Sequence, residues 1–243
     1  MIHCWCKSEL SSFLRPDYGE CKNCGTLVSL CQPNDLELKQ QYKFGEYWHQ
    51  QMQKVAQPTI ETRAVADFND RIPYWYKLIK SHYPKAKSVF EIGCAHGGFL
   101  HYCLQNGLEH AHGCEVDEDT CDFAREHFGL PVVVSGLFPN IDTKCLLKGY
   151  DVVCGFDVIE HFADPVGALR VVKSVMNTNA RCFFQSPHYR EEGPSFPEFK
   201  PKEHLYVFRE NSVRRLMAIA GMDVLWFGRS IFPNDWMVVT KCV

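Results

Sequence analysis

The sequence predicts a doubly wound α/β fold with a mostly parallel sheet of seven strands and helices on both faces. From about residue 87, short apolar runs alternate with amphipathic stretches, as in parallel sheets whose strands are joined by crossover helices. A glycine-rich turn over residues 93–98 follows the first of these runs. The last two runs have no helical pattern between them, which indicates an antiparallel edge.

The first part of this region supplies three strands and two helices. Residues 88–92 and 111–116 are apolar and strand-like, and each precedes an amphipathic stretch. The first stretch, residues 97–106, ends before a glycine, which favours a helix stop. The second runs from Asp117, a good N-cap, to residue 128. Residues 132–134 are the third strand.

The second part supplies four strands and two helices. Asp164 followed by Pro165 predicts the start of a helix that reaches about residue 176. Apolar residues on one face predict another helix at 211–220, which Gly221 ends. The four predicted strands are residues 151–154, 181–185, 224–227 and 236–240.

Composition excludes several classes of protein. The 243 residues are 46% hydrophobic and 23% charged, which excludes wholesale disorder. A net charge of −3 makes a nucleic-acid partner an unfavoured expectation. No apolar run reaches about 18 residues, so we expect no membrane partner. Thirteen cysteines, an odd count, and no export signal at the start predict a reduced, cytoplasmic protein.

The chain divides into three predicted regions. Residues 1–35 are cysteine-rich, residues 36–80 are helical and rich in aromatic residues, and residues 81–243 carry the α/β pattern. The aromatic residues at 42–48 and 74–76 form either a lid over a ligand or the packing face of helices on the sheet.

Two short-spaced cysteine pairs predict a small zinc-binding knuckle in the first region. Four thiolates suit tetrahedral zinc, and a segment of this size buries too little core to fold without a metal. His3 and Cys31 are alternative ligands, and the competing interpretation is a loop of reduced cysteines. The four predicted ligands are Cys4, Cys6, Cys21 and Cys24.

The glycine-rich turn predicts a site for a nucleoside-containing cofactor. The glycines allow close approach of the backbone to a ligand. Glu115, at the end of the second strand, can accept hydrogen bonds from both ribose hydroxyls. A dinucleotide fingerprint also fits the turn loosely, but Glu91 can accept from a cationic amine, and no nearby basic residue in the sequence would hold a pyrophosphate.

Three motifs resemble those of class I S-adenosylmethionine-dependent methyltransferases of the type 11/23 group: FEIGCAHGG (residues 90–98), EVD (115–117) and FDVIEHFADP (156–165). The resemblance covers residues from about 60 to the end and implies a Rossmann-like methyltransferase fold that binds S-adenosyl-L-methionine. The cysteine knuckle resembles that of deoxysugar methyltransferases. The cofactor-binding residues implied are Glu91, Gly93, Ala95, Gly97, Glu115, Val116, Ser135, Gly136 and Phe156.

The expected reaction is methyl transfer to a hydroxyl of a small molecule, a sugar, nucleotide-sugar or natural-product or polysaccharide precursor. His161 is the expected general base because its ordinary pKa lies near neutrality; alternatively, Glu160 and His161 brace a turn. His204 either packs on its loop or joins these residues and Asp157 in a site for Mg²⁺ or Mn²⁺.

Two other functions remain open at this stage. The spacing of the carboxylates and histidines resembles that of metal-dependent small-RNA 2′-O-methyltransferases, which gives an RNA acceptor as the first alternative. A cofactor-binding, non-catalytic partner protein is the second. His188 and Tyr189, after the fifth strand, are further candidates for contact with the acceptor.

Overall fold

The structure, a computed structural model, describes residues 2–42, 59–142, 144–147 and 149–243. Phe44, Tyr47 and Trp48 of the predicted lid lie outside the described residues. The chain forms two compact units. The cofactor unit, as we call it, contains residues 34–155 and 175–181, and the histidine unit contains residues 1–33, 156–174 and 182–243.

The elements follow in chain order. The strands are β1 (Leu10–Ser12), β2 (Tyr18–Cys21), β3 (Leu27–Ser29), β4 (Ser88–Ile92), β5 (His110–Glu115), β6 (Val133–Ser135), β7 (Tyr150–Phe156), β8 (Met176–Pro187), β9 (Tyr206–Val207), β10 (Met222–Arg229) and β11 (Asp235–Cys242). The helices are α1 (Asp35–Gln41), α2 (Ile60–Asn69), α3 (Arg71–His82), α4 (Gly98–Gln105), α5 (Glu118–Phe128), α6 (Pro165–Ser174) and α7 (Glu210–Ile219), with a 3₁₀ turn at Ile159–His161.

The predicted α/β class is confirmed. Within the described residues, seven strands form one sheet in the order β10-β11-β8-β7-β4-β5-β6. β4 pairs in parallel with β5 and β7, and β5 pairs in parallel with β6. The predicted antiparallel edge is also present, because β11 pairs antiparallel with both β8 and β10. All five residues of β4 are buried, as expected of a central strand covered on both faces.

The helix boundaries follow from local chemistry. The Asp117 side chain accepts a hydrogen bond from the Thr120 amide at 2.9 Å, which caps the start of α5. Gly129, with φ of 62°, ends the same helix in a left-handed conformation. Asp164 likewise accepts from the Gly167 amide at 2.9 Å at the start of α6. These caps confirm the predicted helix starts.

The cysteine-rich region shares a sheet with a strand near the end of the chain, which the sequence does not indicate. β1, β2 and β3 form an antiparallel sheet that β9 completes as its fourth strand. Leu27 pairs with Val207, and Val28 with Tyr206. An apolar cluster fills the space beside this sheet; its buried members are Tyr18, Leu27, Tyr189, Phe196, Phe199 and Val207. Neither β9 nor this sheet is predictable from the sequence, because strands of two to four residues carry almost no periodic signal.

None of the described helices is both long enough and apolar enough to cross a lipid bilayer.

Candidate active site

The glycine-rich turn after β4 is fixed by the neighbouring strand. The amides of Gly93 and Cys94 both donate to the carbonyl of Cys114, at 2.9 and 3.0 Å. Ala95 and Gly97 have left-handed backbones, with φ of 46° and 77°. A left-handed alanine stores strain of roughly 1–2 kcal/mol, and such strain is concentrated at functional turns.

Gly97 also allows helices α4 and α5 to pack closely. A Cβ at this position would lie 2.5 Å from Cδ1 of Leu130 and 2.8 Å from Cβ of Ala124. No side chain fits at those distances, so glycine is required here for both backbone conformation and packing.

Glu115, at the end of β5, reaches back to this turn. One carboxylate oxygen accepts from the Ala95 amide at 3.0 Å, and the other accepts from the Val116 amide at 2.7 Å. Burial raises the pKa of this carboxyl, although these backbone hydrogen bonds oppose the shift. Each carboxylate oxygen has a second lone pair, so the side chain can still accept from hydroxyl groups of a ligand.

Glu91, in β4, is a buried carboxyl with an unsatisfied oxygen. The residue is 4% exposed, and its Oε2 has no hydrogen-bond partner within the described part of the chain. Burial raises the pKa of Glu91 well above its ordinary value, and the charges of Glu115 and Asp67 add to the shift. Such an atom is costly unless a ligand satisfies it, and three neighbouring acids favour a cationic group.

An ionic cluster around Asp67 of α2, which no sequence pattern indicates, reaches the turn through His96. Asp67 pairs with Arg63 at 2.9 Å, with Arg71 at 3.1 Å and with Nε2 of His96 at 3.1 Å. Nδ1 of His96 accepts from the Gly98 amide at 3.0 Å, so Nε2 carries the proton and donates to Asp67. The expectation that no basic residue lies near the turn is therefore wrong. Both arginines, however, share the carboxylate of Asp67.

The other predicted cofactor residues also lie at the ends of strands, Ser135 and Gly136 at the end of β6 and Phe156 at the end of β7. Ser135 ends β6 and pairs with Glu115 in register. The Gly136 amide donates to the Glu115 carbonyl at 2.8 Å. The cofactor unit thus brings together every predicted cofactor residue from Glu91 to Gly136. Phe156 is the buried last residue of β7 and belongs to the histidine unit.

The histidine unit contains a second polar cluster. One ring nitrogen each of His161 and His204 and one carboxylate oxygen of Glu160 lie within 4.8 Å of one another. The two imidazole rings meet edge to face, with centroids 5.1 Å apart. Glu160 and His161 belong to the 3₁₀ turn after β7, and His204 precedes β9.

Backbone carbonyls fix the tautomers of both histidines. Nδ1 of His161 lies 2.6 Å from the Glu203 carbonyl, and Nδ1 of His204 lies 2.8 Å from the Glu198 carbonyl. A carbonyl can only accept, so both Nδ1 atoms are protonated and both Nε2 atoms are unprotonated in the neutral rings. Burial lowers the pKa of both imidazoles, which keeps them neutral near pH 7.

Glu160 presents the third group of this cluster. It is 1% exposed, and neither carboxylate oxygen meets the geometry of a hydrogen bond with any described residue, although the Ser186 hydroxyl lies close enough to oppose part of the rise in its pKa. Its Oε1 lies 3.8 Å from Nε2 of His161. Burial, followed by the charge of Asp157, raises the pKa of Glu160 well above its ordinary range. The cluster thus combines imidazole nitrogens with a carboxylate, a set that suits a ligand hydroxyl or a divalent cation.

Asp157 stands apart from the other three predicted residues. Its Oδ1 accepts from the side-chain amide of Gln185 at 3.0 Å, and its own amide donates to the Gln185 carbonyl at 3.0 Å. Its φ of 59° places a non-glycine residue in the left-handed region directly after β7. That strained backbone turns the chain into the 3₁₀ helix of Glu160 and His161.

The predicted acceptor-side residues, and Trp75 of the predicted lid, make the following contacts within the protein. Nδ1 of His188 accepts from Nε of Arg190 at 3.0 Å, and burial lowers the pKa of His188 to about 4. Tyr189 is buried in the apolar cluster beside β9. Trp75 packs edge to face on Phe99 at 6.0 Å, which favours the helix-packing alternative for this aromatic residue.

The four cysteines of the knuckle converge as the spacing predicts. Their sulfur atoms all lie within 4.8 Å of one another. The Sγ separations are 3.5 Å for Cys4 with Cys24, 3.5 Å for Cys6 with Cys21 and 3.8 Å for Cys6 with Cys24. Four sulfurs about 2.3 Å from a tetrahedral zinc are roughly 3.8 Å apart, so the donor set fits this metal. Within the described chain, this group includes neither His3 nor Cys31.

Comparison with known proteins gives a consistent family. Residues 47–225 match a family described as a methyltransferase domain. A ubiquinone biosynthesis O-methyltransferase of Actinobacillus pleuropneumoniae serotype 7 (strain AP76) is 24% identical over 108 residues, which are 41% of this chain. The match spans only 45% of that relative's length.

Solved structures share the fold at low sequence identity. An S-adenosylmethionine-dependent methyltransferase from Clostridium acetobutylicum ATCC 824 superposes with a TM-score of 0.61 at 8% identity, covering 81% of this chain and 98% of that one. A magnesium protoporphyrin IX methyltransferase from Synechocystis PCC 6803, with bound SAH, gives a TM-score of 0.52 at 15% identity, covering 88% and 90%.

Proposed function

Because this chain belongs to the methyltransferase-domain family and is an S-adenosylmethionine-dependent enzyme, we propose that it methylates a hydroxyl group of a small molecule. The acceptor is a sugar, a nucleotide-sugar or a natural-product or polysaccharide precursor. The observation that carries this proposal is the convergence of Glu160, His161 and His204, whose unprotonated imidazole nitrogens and buried carboxyl lie within 4.8 Å of one another and suit an acceptor hydroxyl.

S-Adenosylmethionine supplies an electrophilic methyl group when it is bound. Glu115 would accept from the ribose hydroxyls, and the Glu91 oxygen that has no partner among the described residues would accept from the ammonium group of the cofactor. The backbones at Gly93, Ala95, Gly97, Val116 and Phe156 would supply the remaining contacts, and Ser135 and Gly136 would contact the adenine. The strained turn and the buried acids support this assignment.

His161 removes the proton of the acceptor hydroxyl. Its Nε2 is unprotonated, and its Nδ1–H donates to the Glu203 carbonyl, which stabilises the imidazolium as the proton arrives. Glu160, 3.8 Å away, adds a favourable charge when it is ionised. General-base catalysis of this kind contributes about 10²–10⁴-fold in rate. His204 positions the acceptor oxygen through its own unprotonated Nε2.

A second candidate is methylation of an RNA 2′-hydroxyl with a divalent cation. The oxygen and nitrogen donors of Glu160, His161 and His204, within 4.8 Å of one another, favour it, because Mg²⁺ or Mn²⁺ at these residues would lower the pKa of a bound hydroxyl. The net charge of −3 favours the small-molecule acceptor over RNA.

We also propose a structural zinc at Cys4, Cys6, Cys21 and Cys24, supported by their sulfur separations. A closed four-sulfur site has no open position for a reactant, so this metal serves the fold. The proposed division is therefore a zinc knuckle over 1–35, an aromatic-rich segment over 36–80 and the transferase domain over 81–243, in a cytoplasmic protein.

The test has a binding arm and a transfer arm. Calorimetry should show S-adenosylmethionine binding and no comparable affinity for NAD; preference for NAD would favour a dehydrogenase instead. Methyl-labelled cofactor is then offered with pooled sugars and nucleotide-sugars, and separately with total RNA, each with and without a chelator of divalent cations. Labelling of the small-molecule pool supports the proposal.

Three outcomes would change the proposed acceptor, the proposed function or the proposed base. RNA labelling that falls steeply with salt and needs the cation would select the second candidate. Cofactor binding without any transfer would select a non-catalytic partner protein. His161→Ala should lower transfer about 10²–10⁴-fold while cofactor affinity is kept, and His110→Ala, at an exposed histidine that starts β5, is its matched control. Full activity of the His161 variant would remove the proposed base.

A further inference from the structure

The cysteine knuckle is bonded directly to the chain segment that carries His204. The Tyr18 hydroxyl donates to the His204 carbonyl at 2.9 Å. One residue further on, the Leu205 carbonyl accepts from the Ser29 amide at 2.9 Å. β3 then pairs with β9, which begins at Tyr206. Three consecutive residues, 204–206, are therefore held by β2 and β3 of the cysteine-rich region.

The same segment orients both histidines. The Glu203 carbonyl fixes the tautomer of His161, and it directly precedes the carbonyl that Tyr18 holds. His204 belongs to the segment itself, and its ring is anchored to the Glu198 carbonyl. A displacement of residues 203–205 would move the Glu203 carbonyl that bonds with His161, and it would also move the backbone of His204.

This segment is tied both to the knuckle and to other parts of the histidine unit. Residues 199–205 lie between strands, where the amides of Glu203 and His204 donate to the carbonyl of Lys200. The Phe199 ring also packs on Tyr189 and Phe196, each at 5.5 Å. The ties to the knuckle are the hydrogen bond from Ser29 Oγ to the Pro201 carbonyl at 2.6 Å and the packing of the Tyr18 ring, which is 1% exposed, on Phe199 at 5.0 Å.

We propose that the metal-loaded knuckle is a positioning element for the histidine pair, and that Tyr18 is its positioning residue. The inference rests on the proposed function for the role of His161 as base. The hydrogen bonds from Tyr18 and Ser29 reach the carbonyls of His204 and Leu205, so the influence of the knuckle falls on the orientation of His161 and His204. Residues 88–116, which hold the cofactor in the proposed function, belong to the other compact unit.

The consequence is a dependence of proton transfer on the cysteine site. Zinc supplies the folding free energy of small four-cysteine modules. Loss of the metal would free β3 and Tyr18, and residues 203–205 would lose their outside support. The histidines would then lack a fixed orientation even though neither of them binds the zinc.

The test compares the full zinc-loaded chain with Tyr18→Phe and Cys21→Ser. Nitrogen-15 spectra of the imidazoles report the tautomers of His161 and His204, and hydrogen exchange reports the opening of residues 203–207. Tyr150→Phe is the matched control, since Tyr150 is equally buried and its hydroxyl bonds with His112 at 2.8 Å in the cofactor unit. S-Adenosylmethionine titration is run on every variant.

Wild-type protein should show both histidines as single Nδ1-protonated tautomers. Tyr18→Phe should exchange the amides of residues 203–207 about fivefold faster, the effect of one lost hydrogen bond, and should mix the two tautomers. Cys21→Ser should lose the single-tautomer signature. Both variants should bind the cofactor as wild type does, and Tyr150→Phe should leave the histidine signals unchanged.

Unchanged imidazole spectra in Tyr18→Phe would overturn the inference, including in the case where Cys21→Ser fails to fold. Equal changes in Tyr150→Phe would also overturn it, because they would reflect a general loss of stability. Failure of wild-type protein to bind S-adenosylmethionine would instead contradict the proposed function, whatever the histidine spectra show.

Discussion

Glu91→Gln is expected to weaken cofactor binding and to remove the part of its pH dependence that comes from Glu91. In the free protein, burial and then the charges of Glu115 and Asp67 raise the pKa of Glu91 well above its ordinary value. Glu91 is therefore protonated to a higher pH than an exposed glutamate. An ammonium group that donates to Oε2 requires the carboxylate, so cofactor binding must release this proton.

The magnitude follows from the unsatisfied oxygen. A hydrogen bond to a charged group contributes about 1.5–3 kcal/mol, so replacing the carboxylate with an amide should weaken binding about 10- to 150-fold at high pH. Below the raised pKa, wild-type affinity should increase up to about tenfold for each pH unit and then become constant above it. The stability of the free protein has the opposite dependence, since a raised carboxyl pKa destabilises the folded state as pH rises above about 4.3.

Calorimetry in two buffers of different ionisation enthalpy measures both the affinity and the number of protons released. Asp151→Asn is the control: Asp151 accepts from the Lys87 amide at 2.9 Å at the opposite end of the sheet, so its loss should reduce stability without changing affinity or proton release. Wild-type binding with no proton release, or a Glu91→Gln variant that keeps both the affinity and the pH dependence, would refute the reasoning.

Three further predictions concern stability and metal content. Gly97→Ala should lower the free energy of unfolding in urea by more than about 2 kcal/mol, whereas Gly129→Ala, where φ is also positive but the space is open, should cost only about 1–2 kcal/mol. Metal analysis should find about one zinc per chain, which Cys21→Ser loses and Cys145→Ser, at an exposed cysteine, retains. Burial disfavours the charged form of His204 and lowers its pKa, so the unfolded chain takes up this proton at a higher pH than the folded chain does. The stability of the protein should therefore fall as pH drops below about 6.5. The melting temperature of His204→Gln should depend less on pH over this range.

The sequence predicted elements whose ends carry their own chemical signals. The bounds of β4 are those expected, and α5 starts after Asp117 and ends before Gly129 as expected. β8 extends beyond the predicted 181–185 to Met176–Pro187. Its first part contains Asn177 and Asn179, which are exposed and polar and therefore add no apolar signal.

In the candidate site, too, some features are predictable from the sequence and others are not. The glycine turn and Glu115 form one continuous motif of strand ends, so their proximity follows from the parallel topology. Asp67 gave no signal, because a charged residue on an amphipathic helix is normally solvent-exposed. His204 is brought close to His161 by the loop after β8 and by β9. Neither segment has a periodic pattern of apolar residues that the sequence would reveal. The orphaned oxygens of Glu160 can be identified only once every neighbour has been placed.

The pairing of β3 with β9 also constrains how the protein can fold. Tyr18 and His204 are 186 positions apart, and the chain between them passes through the whole continuous part of the cofactor unit, residues 34–155. Contacts of such large sequence separation form slowly, because closure of a long loop precedes any gain from them. On the ribosome, synthesis at about 5–20 residues per second leaves the cysteine strands without their fourth strand for roughly ten seconds or more. During that interval β3 is an open edge, and metal captured early by the cysteines would protect it from pairing with other chains.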